Sequence, residues 1–415
     1  MLSEDAQEKL ASILTDRIQK INEKILVKIG ENIKKIGSLT TSQAYQIQQI
    51  LKYGGDLQEI INELAKVTKL NVNDIYKILE EEAKRNQAWA KQFYDYKGIN
   101  FIPYEQNIRL QRQVKALANL TAEAYLNISN TRAIGYTIKD LQGNVVFKDI
   151  SSVYRDTIDK AILSVSQGKS TYQEQMREII KQIGTSGLKT IDYETGTTRR
   201  LDSAIRMNLL GGIRDLSNEM QNGFGKEFGA DAIEISVHEF SAIDHADIQG
   251  HQFSFEEFNK FKDDKEFEDL KGNKFLPIDE RGQDRRNISQ YNCYHYLFNI
   301  VAGVSKPQYT DKQLQEINER NEKGFEFDGK NYTMYEGTQL QRRIESAIRQ
   351  EKDTQILARA SGDEDLVLQS QTRITQLTTK YKQLCSISGL PNKLSTRASV
   401  SGYKRIAKNK LMWYN

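Results

Sequence analysis

Leu10, Leu14, Ile18, Ile21, Ile25, Ile29, Ile33 and Ile36 recur at steps of three and four, which sets them on one stripe of a helix over residues 6–36. Gly37 supplies its stop and Thr41 or Ser42 the next cap. A stripe so rich in isoleucine needs a partner helix, in this chain or in another subunit. Helical spacing continues at 42–52 and 56–67, parted by Gly54-Gly55, and in a longer helix capped by Asn73 that runs through LEEEAKRNQAWAKQF. Another helix runs from Tyr104 to Asn127, with Ile108, Leu110, Val114, Leu117 and Leu120 as its apolar positions. Residues 1–130 contain no histidine, cysteine or glycine-rich phosphate loop and read as a helical assembly region.

At about 135–148 the period changes to two. GYTIKDLQGNVVFKD predicts a hairpin turning at QGN, and LKTIDYETGTTRRLDS a second one turning at Thr195-Gly196. Helices at 150–167 and 171–183 separate them. Asp202 or Ser203 is placed to cap the helix AIRMNLLGGIRDLSNEM, whose Arg206 and Arg214 face a phosphate or, more ordinarily, a carboxylate. Ile233, Ile235 and Val237 alternate with polar residues as a strand ending at His238. Residues 254–287 are highly charged and read as an exposed excursion with one short helix, and FEFDGKNYTMYE predicts a tight hairpin at Asp328-Gly329. Two long helices at 335–360 and 363–386, joined by SGDEDL, predict an antiparallel pair. The fold class is mainly α with a smaller α+β module. Its expected divisions are 1–130 helical assembly region, 131–334 α+β module, 335–390 helical hairpin and 391–415 basic tail.

At 415 residues the chain can bury two or three cores, and no apolar run approaches the roughly 20 residues of a membrane span. The charged start MLSEDAQEKL is unlike a secretory signal, and two cysteines are too few for a disulfide framework, so a reducing compartment is expected. A net charge of +3 decides little, but its distribution is uneven. No acidic side chain follows Asp365, whereas Arg373, Lys380, Lys382, Lys393, Arg397, Lys404, Arg405, Lys408 and Lys410 do, before the ending LMWYN. Such a stretch either seeks a polyanion, double-stranded DNA included, or an acidic protein face, or is a solvated basic surface. Truncation before residue 366 is expected to weaken the association this stretch makes and leave the module folded.

All four histidines, His238, His245, His251 and His295, fall between Asp231 and His295, with Cys293 among them. Imidazole and thiolate are ligands for zinc and acid–base groups. The spacing, six residues between His238 and His245 and one residue between Cys293 and His295, is irregular for a zinc signature. Two readings stand: a metal site of His238, His245, Cys293 and His295, or a metal-free, hydrogen-bonded cluster locking two loops together. His251 reads as an exposed loop histidine.

The segments GTTRRLDSAIRMNLLGGI, GADAIEISVHEFSAIDHADIQG, NCYH and TQLQRRIESAIRQEK, in that order over roughly 190–400, are similar to the phage minor capsid protein 2 family and, more distantly, to the Mu F-type head-morphogenesis proteins. On that resemblance the pattern His-x6-His-x4-Gly falls on His238, His245 and Gly250, with Gln249 before the glycine. Asn-Cys-x-His falls on Asn292, Cys293 and His295, and Gln-x-Gln-Arg on Gln339, Gln341 and Arg342. Ala242 and Ile243 stand where the family commonly has arginine and proline, Ile248 where it has tryptophan, and Tyr294 where it has arginine. Arginine is the natural group for a phosphate or a developing anion, so these departures favour a structural cluster over a phosphodiester-cutting site. The resemblance implies a structural protein of a tailed-phage head. It would be made in the host bacterial cytoplasm and incorporated at or near the portal vertex, and would need no cofactor in that role. The implied partners are the portal, the major capsid protein, further copies of itself and packaged double-stranded DNA. The other class of function is a metal-dependent hydrolase or nuclease packaged with the virion.

Overall fold

The computed structural model describes residues 4–38, 59, 62, 72–128, 133–140, 142–167, 169–192, 195–279, 281–288 and 293–406. The helix expected at 42–52, that expected at 56–67 apart from residues 59 and 62, as well as Asn292, Lys408, Lys410 and the LMWYN ending, lie outside them. The fold is mainly α with a smaller α+β part, as the periodicities predict.

Helix α1 spans Glu4–Gly37, and Ile18, Ile21, Ile25, Ile29, Ile33 and Ile36 are all buried. Burying one such side chain contributes roughly 1.5–3 kcal/mol, so the stripe is a major part of the core. Its partners are within the chain: α4 (Ile150–Gln167), α6 (Leu201–Phe228) and α10 (Met334–Ser361). The approach to α10 is close enough that a Cβ on Gly30 would lie 2.6 Å from Ala360 Cβ. α2 (Val72–Lys97) and α3 (Ile108–Ile128), which follows a 3-10 turn at Tyr104–Gln106, pack against α6 as well. Asn73, expected to cap α2, lies within its first turn. Leu110 and Val114 of α3 are buried, but Ile108 and Leu120, expected on the apolar face, are exposed.

β1 (Ile134–Lys139) and β2 (Val145–Asp149) form the first predicted hairpin, and β3 (Lys189–Ile191) and β4 (Thr198–Arg200) the second. They share one antiparallel sheet ordered β2-β1-β3-β4, with α4 and α5 (Lys169–Ser186) between the hairpins in the chain. Asp202 does not cap α6; that place belongs to Arg200, whose side chain makes no capping bond. Asp202 and Arg200 instead enter a buried network where α1, β1, β4, α6 and α10 meet. Arg200 donates to Asp353 at 3.0 Å and to Asp202 at 3.4 Å, Arg349 to Asp202 at 3.1 Å, and Asn22 to Asp353 at 3.0 Å. Burial alone would raise the Asp202 carboxyl, but the Arg200 and Arg349 guanidiniums outweigh it and hold it down to about 2.

A second sheet, ordered β6-β5-β9, carries the α+β part: β5 (Ala232–Ile235), β6 (Gln252–Ser254) and β9 (Leu297–Ile300), all antiparallel. β5, expected to reach His238, is the central strand, ends at Ile235 and is buried at all four residues. Its Glu234 is kept by hydrogen bonds from Gln252 (2.7 Å) and the Gln308 N–H (3.2 Å), and burial pushes its carboxyl upward. Around the sheet lie α7 (Ile243–Ala246), α8 (Phe255–Lys262), the short pair β7 (Phe267–Glu268) and β8 (Lys274–Phe275), and α9 (Asp311–Lys323). The charged 254–287 stretch is therefore no simple exposed excursion: Phe258, Phe261, Phe267 and Phe275 bury with Ile233, Ile235 and Phe253 in a core of their own.

The third predicted hairpin, β10 (Phe325–Phe327) and β11 (Lys330–Tyr332), turns on Asp328 and Gly329, both at positive φ. α10 then begins with a capping box of Thr333 and Glu336 and meets α11 (Glu364–Ser388) through Gly362 and the N-cap Asp363. After α11 the chain folds back through α12 (Leu394–Arg397): Val400 joins the main core, Ser401 donates to Glu23 at 2.5 Å, and Tyr403 donates to Gln371 at 3.1 Å. Among the described residues, 391–406 are thus docked on α1 and α11. The main core draws on α1–α6, β1, α10 and α11 together.

Candidate functional site

The chain leaves β5 at Ile235 and returns when the Gly250 N–H donates to the Ile235 carbonyl at 2.8 Å. Gly250 has φ +75°, and a Cβ there would lie 2.4 Å from Leu314, so the return requires glycine. Inside this loop α7 presents His245. The approach to β9 presents Cys293 and His295, and it is tied to the loop by Ser236 N–H to Tyr296 O at 2.9 Å and Tyr296 N–H to Ser236 Oγ at 2.8 Å. Two segments some 48 residues apart therefore place three groups together.

Cys293 Sγ lies 3.8 Å from His245 Nδ1 and 3.5 Å from His295 Nδ1, and all three residues are buried. His245 Nε2 is 2.6 Å from the Arg286 carbonyl. His295 Nε2 is 3.1 Å from Gln249 Oε1, an oxygen that also accepts the His238 N–H at 2.8 Å. Gln249 is itself held by donation to Asn318 at 3.4 Å, and Asn318 donates to the Ala246 carbonyl at 2.9 Å. Burial opposes ionisation of the Cys293 thiol, but hydrogen bonding and charge from His245 and His295 outweigh it and bring the thiol down to about 5. Burial would lower His245, and the pairing with Cys293 and Asp244 raises it instead.

The other sequence candidates fall in different places. His238 lines the same cleft, its ring 5.4 Å from Tyr294 and 6.1 Å from His295, but it is outside the close group of His245, Cys293 and His295. His251 is not a free loop histidine: its Nδ1 pairs with Asp269 at 2.7 Å, and it packs edge-on against Phe275. Arg214, expected to meet a phosphate or carboxylate, donates to the Cys293 carbonyl. Gln341 is buried and donates to the Pro391 carbonyl at 3.2 Å, fastening α10 to the segment after α11.

The three groups lie along a cleft of about 260 Å³ whose lining includes Arg286, Arg342, Lys393 and Arg397 and, among the described residues, no carboxylate. Arginine is absent at positions 242 and 294, where the family commonly has it, but other elements bring arginine to the cleft. Tyr294, at one of those positions, has Arg214 and Arg342 over its ring at 5.7 and 5.8 Å. Arg286 enters from the charged stretch and is held by both oxygens of Asp244, at 2.6 and 3.1 Å; its neighbour Arg285 grips Asp247 at 2.5 and 2.7 Å. Behind the cleft Arg206 is brought down to about 10, by burial first and then by the positive fields of Arg397 and Arg349. Sequence reasoning missed Arg285 and Arg286; their only signal was an Arg-Arg pair in a stretch read as solvated.

The basic residues after Asp365 divide. Lys380 pairs with Asp328, and Lys393 and Arg397 line the cleft, while Arg373, Lys382, Lys404 and Arg405 are exposed. The sequence model of one family, described as phage minor capsid protein 2, matches residues 2–386. The chain belongs to that family. The match takes in the N-terminal helices, where the resemblance seen by eye covered only about 190–400. No curated protein and no solved structure matches the chain. A phage minor capsid protein is a structural component of the virion that assembles with other virion components. No helix among the described residues is long and apolar enough to cross a membrane.

Proposed function

We propose that this minor capsid protein is incorporated at or near the portal vertex of a tailed-phage head, in several copies, and acts in head assembly and in packaging or ejection of DNA. The family match over residues 2–386 carries the reading. Two surface features support it. Tyr96, Ile99, Ile102, Ile108 and Leu120 are exposed apolar residues between the end of α2 and the end of α3. With the isoleucine stripe of α1 spent inside the chain, these residues are the better candidate for gripping the portal or the major capsid protein. Exposed Arg373, Lys382, Lys404 and Arg405 have the chemistry to meet DNA phosphates.

Co-expression with the portal protein tests the assembly half. Ile108→Glu together with Leu120→Glu is expected to abolish co-purification and leave the circular dichroism spectrum unchanged; undiminished co-purification would remove this surface from the proposal. For the DNA half, binding to duplex DNA is expected to weaken steeply with salt and to fall when the four exposed basic residues are replaced by glutamine.

A further inference from the structure

Around Cys293 two histidine rings are held in the way that metal-binding histidines are held. The Arg286 carbonyl can only accept, so His245 Nε2 at 2.6 Å carries its ring hydrogen. Gln249 Oε1 already accepts the His238 N–H, so it too is an acceptor towards His295 Nε2 at 3.1 Å. Each ring thus has its far nitrogen on an oxygen and turns Nδ1 towards the one sulfur, at 3.8 Å for His245 and 3.5 Å for His295. Anchoring of the far ring nitrogen on an oxygen is the support that metal-binding histidines receive. The spacings agree: zinc bonds of about 2.3 Å to sulfur and about 2.0–2.1 Å to nitrogen at tetrahedral angles set sulfur and nitrogen about 3.5 Å apart. The observed separations are 3.5 and 3.8 Å, and one ligand atom from each of the three residues lies within 4.8 Å of the other two.

We propose that His245 Nδ1, Cys293 Sγ and His295 Nδ1 bind one zinc-class divalent cation whose fourth position opens on the basic cleft and takes a phosphate-type oxyanion. Three protein ligands leave one place in a tetrahedral shell, the arrangement of an open rather than a closed zinc site. That place faces a wall of Arg286, Arg342, Lys393 and Arg397. Ser241 Oγ, buried and without a hydrogen-bond partner among the described residues, lines the same space and has a hydrogen to give. His238 stands outside this close group, so the proposed ligands are three of the four residues that the sequence offered. The site goes beyond the particle role and stands or falls independently of it.

The test uses the full chain, stripped with chelator and titrated with cobalt(II), then zinc. One equivalent of cobalt is expected to bind, with a thiolate-to-cobalt charge-transfer band and the intense d–d bands of a four-coordinate ion. Zinc should displace it and protect Cys293, but not Cys385, from iodoacetamide, read by peptide mass spectrometry. Absence of the charge-transfer band, or equal labelling of Cys293 with and without zinc, overturns the site. Gln249→Ala, which releases the positioning bond to His295, is expected to weaken cobalt binding by about 10–100-fold. Unchanged affinity in that variant contradicts the anchoring argument, and the wild-type spectra decide the matter if the variant does not fold. Inorganic phosphate and a short 5′-phosphorylated oligonucleotide are added separately to the cobalt form. A d–d shift with phosphate assigns a free anion, a shift with the oligonucleotide alone assigns a nucleic-acid phosphate, and no shift with either overturns the open fourth position.

Discussion

Gln249 and Gly250 show how much of the site rests on single residues outside the histidine and cysteine group. Gly250 turns the loop back at φ +75° against Leu314, so Gly250→Ala is expected to cost roughly 1–3 kcal/mol in urea unfolding. A cost near zero would mean that the loop re-forms without this turn. Arg200 has a comparable place in the main core, donating to Asp353 and Asp202, both buried. Arg200→Met leaves those carboxylates with less compensation and is expected to destabilise by roughly 3–5 kcal/mol, measured in the same way. At this scale the sequence was readable where one residue carries its own constraint. Asp328-Gly329 announces a turn because both positions need positive φ. The cleft was not readable in that way, because Arg286, Arg342 and Arg397 come from three separate segments and only the fold brings them to one wall.

Among the elements, α11 decides how the C-terminal part behaves. Leu366, Val367, Ile374, Leu377, Tyr381 and Leu384 of this helix are buried. Truncation before residue 366, expected from the basic run to spare the module, would strip that core and is instead expected to abolish the cooperative thermal transition. The basic run concealed this because its lysines and arginines alternate with a buried apolar stripe on the same helix. The start of α11 is set by Asp363, which accepts the Leu366 N–H at 3.0 Å and two bonds from Arg177, at 2.7 and 2.6 Å. Burial would raise its carboxyl, but Arg177 and the cap hold it below the usual carboxylate range. Its contribution is therefore complete above about pH 3.9, the unfolded value, and is lost as pH falls through the lower folded one. Asp363→Asn keeps a capping side chain and loses the charge, so the melting temperature should fall less steeply with acid than in the wild type. An unchanged acid limb would exclude Asp363 from it.

For the whole molecule, periodicity located the long helices and hairpins well, and it left open whether the stripe on α1 was internal. Only packing could answer, since an apolar stripe has the same spacing whether it meets α10 or another subunit. With α1 committed inside, the exposed apolar residues of α2 and α3 and the exposed basic residues of 373–405 are the surfaces proposed for assembly and DNA. The most direct measurement is cryo-electron microscopy of purified particles reconstructed without imposed icosahedral symmetry. Density fitting this fold at the single portal-bearing vertex, in several copies, is the expected result. Copies spread over all vertices or along the shell would contradict the portal-vertex placement.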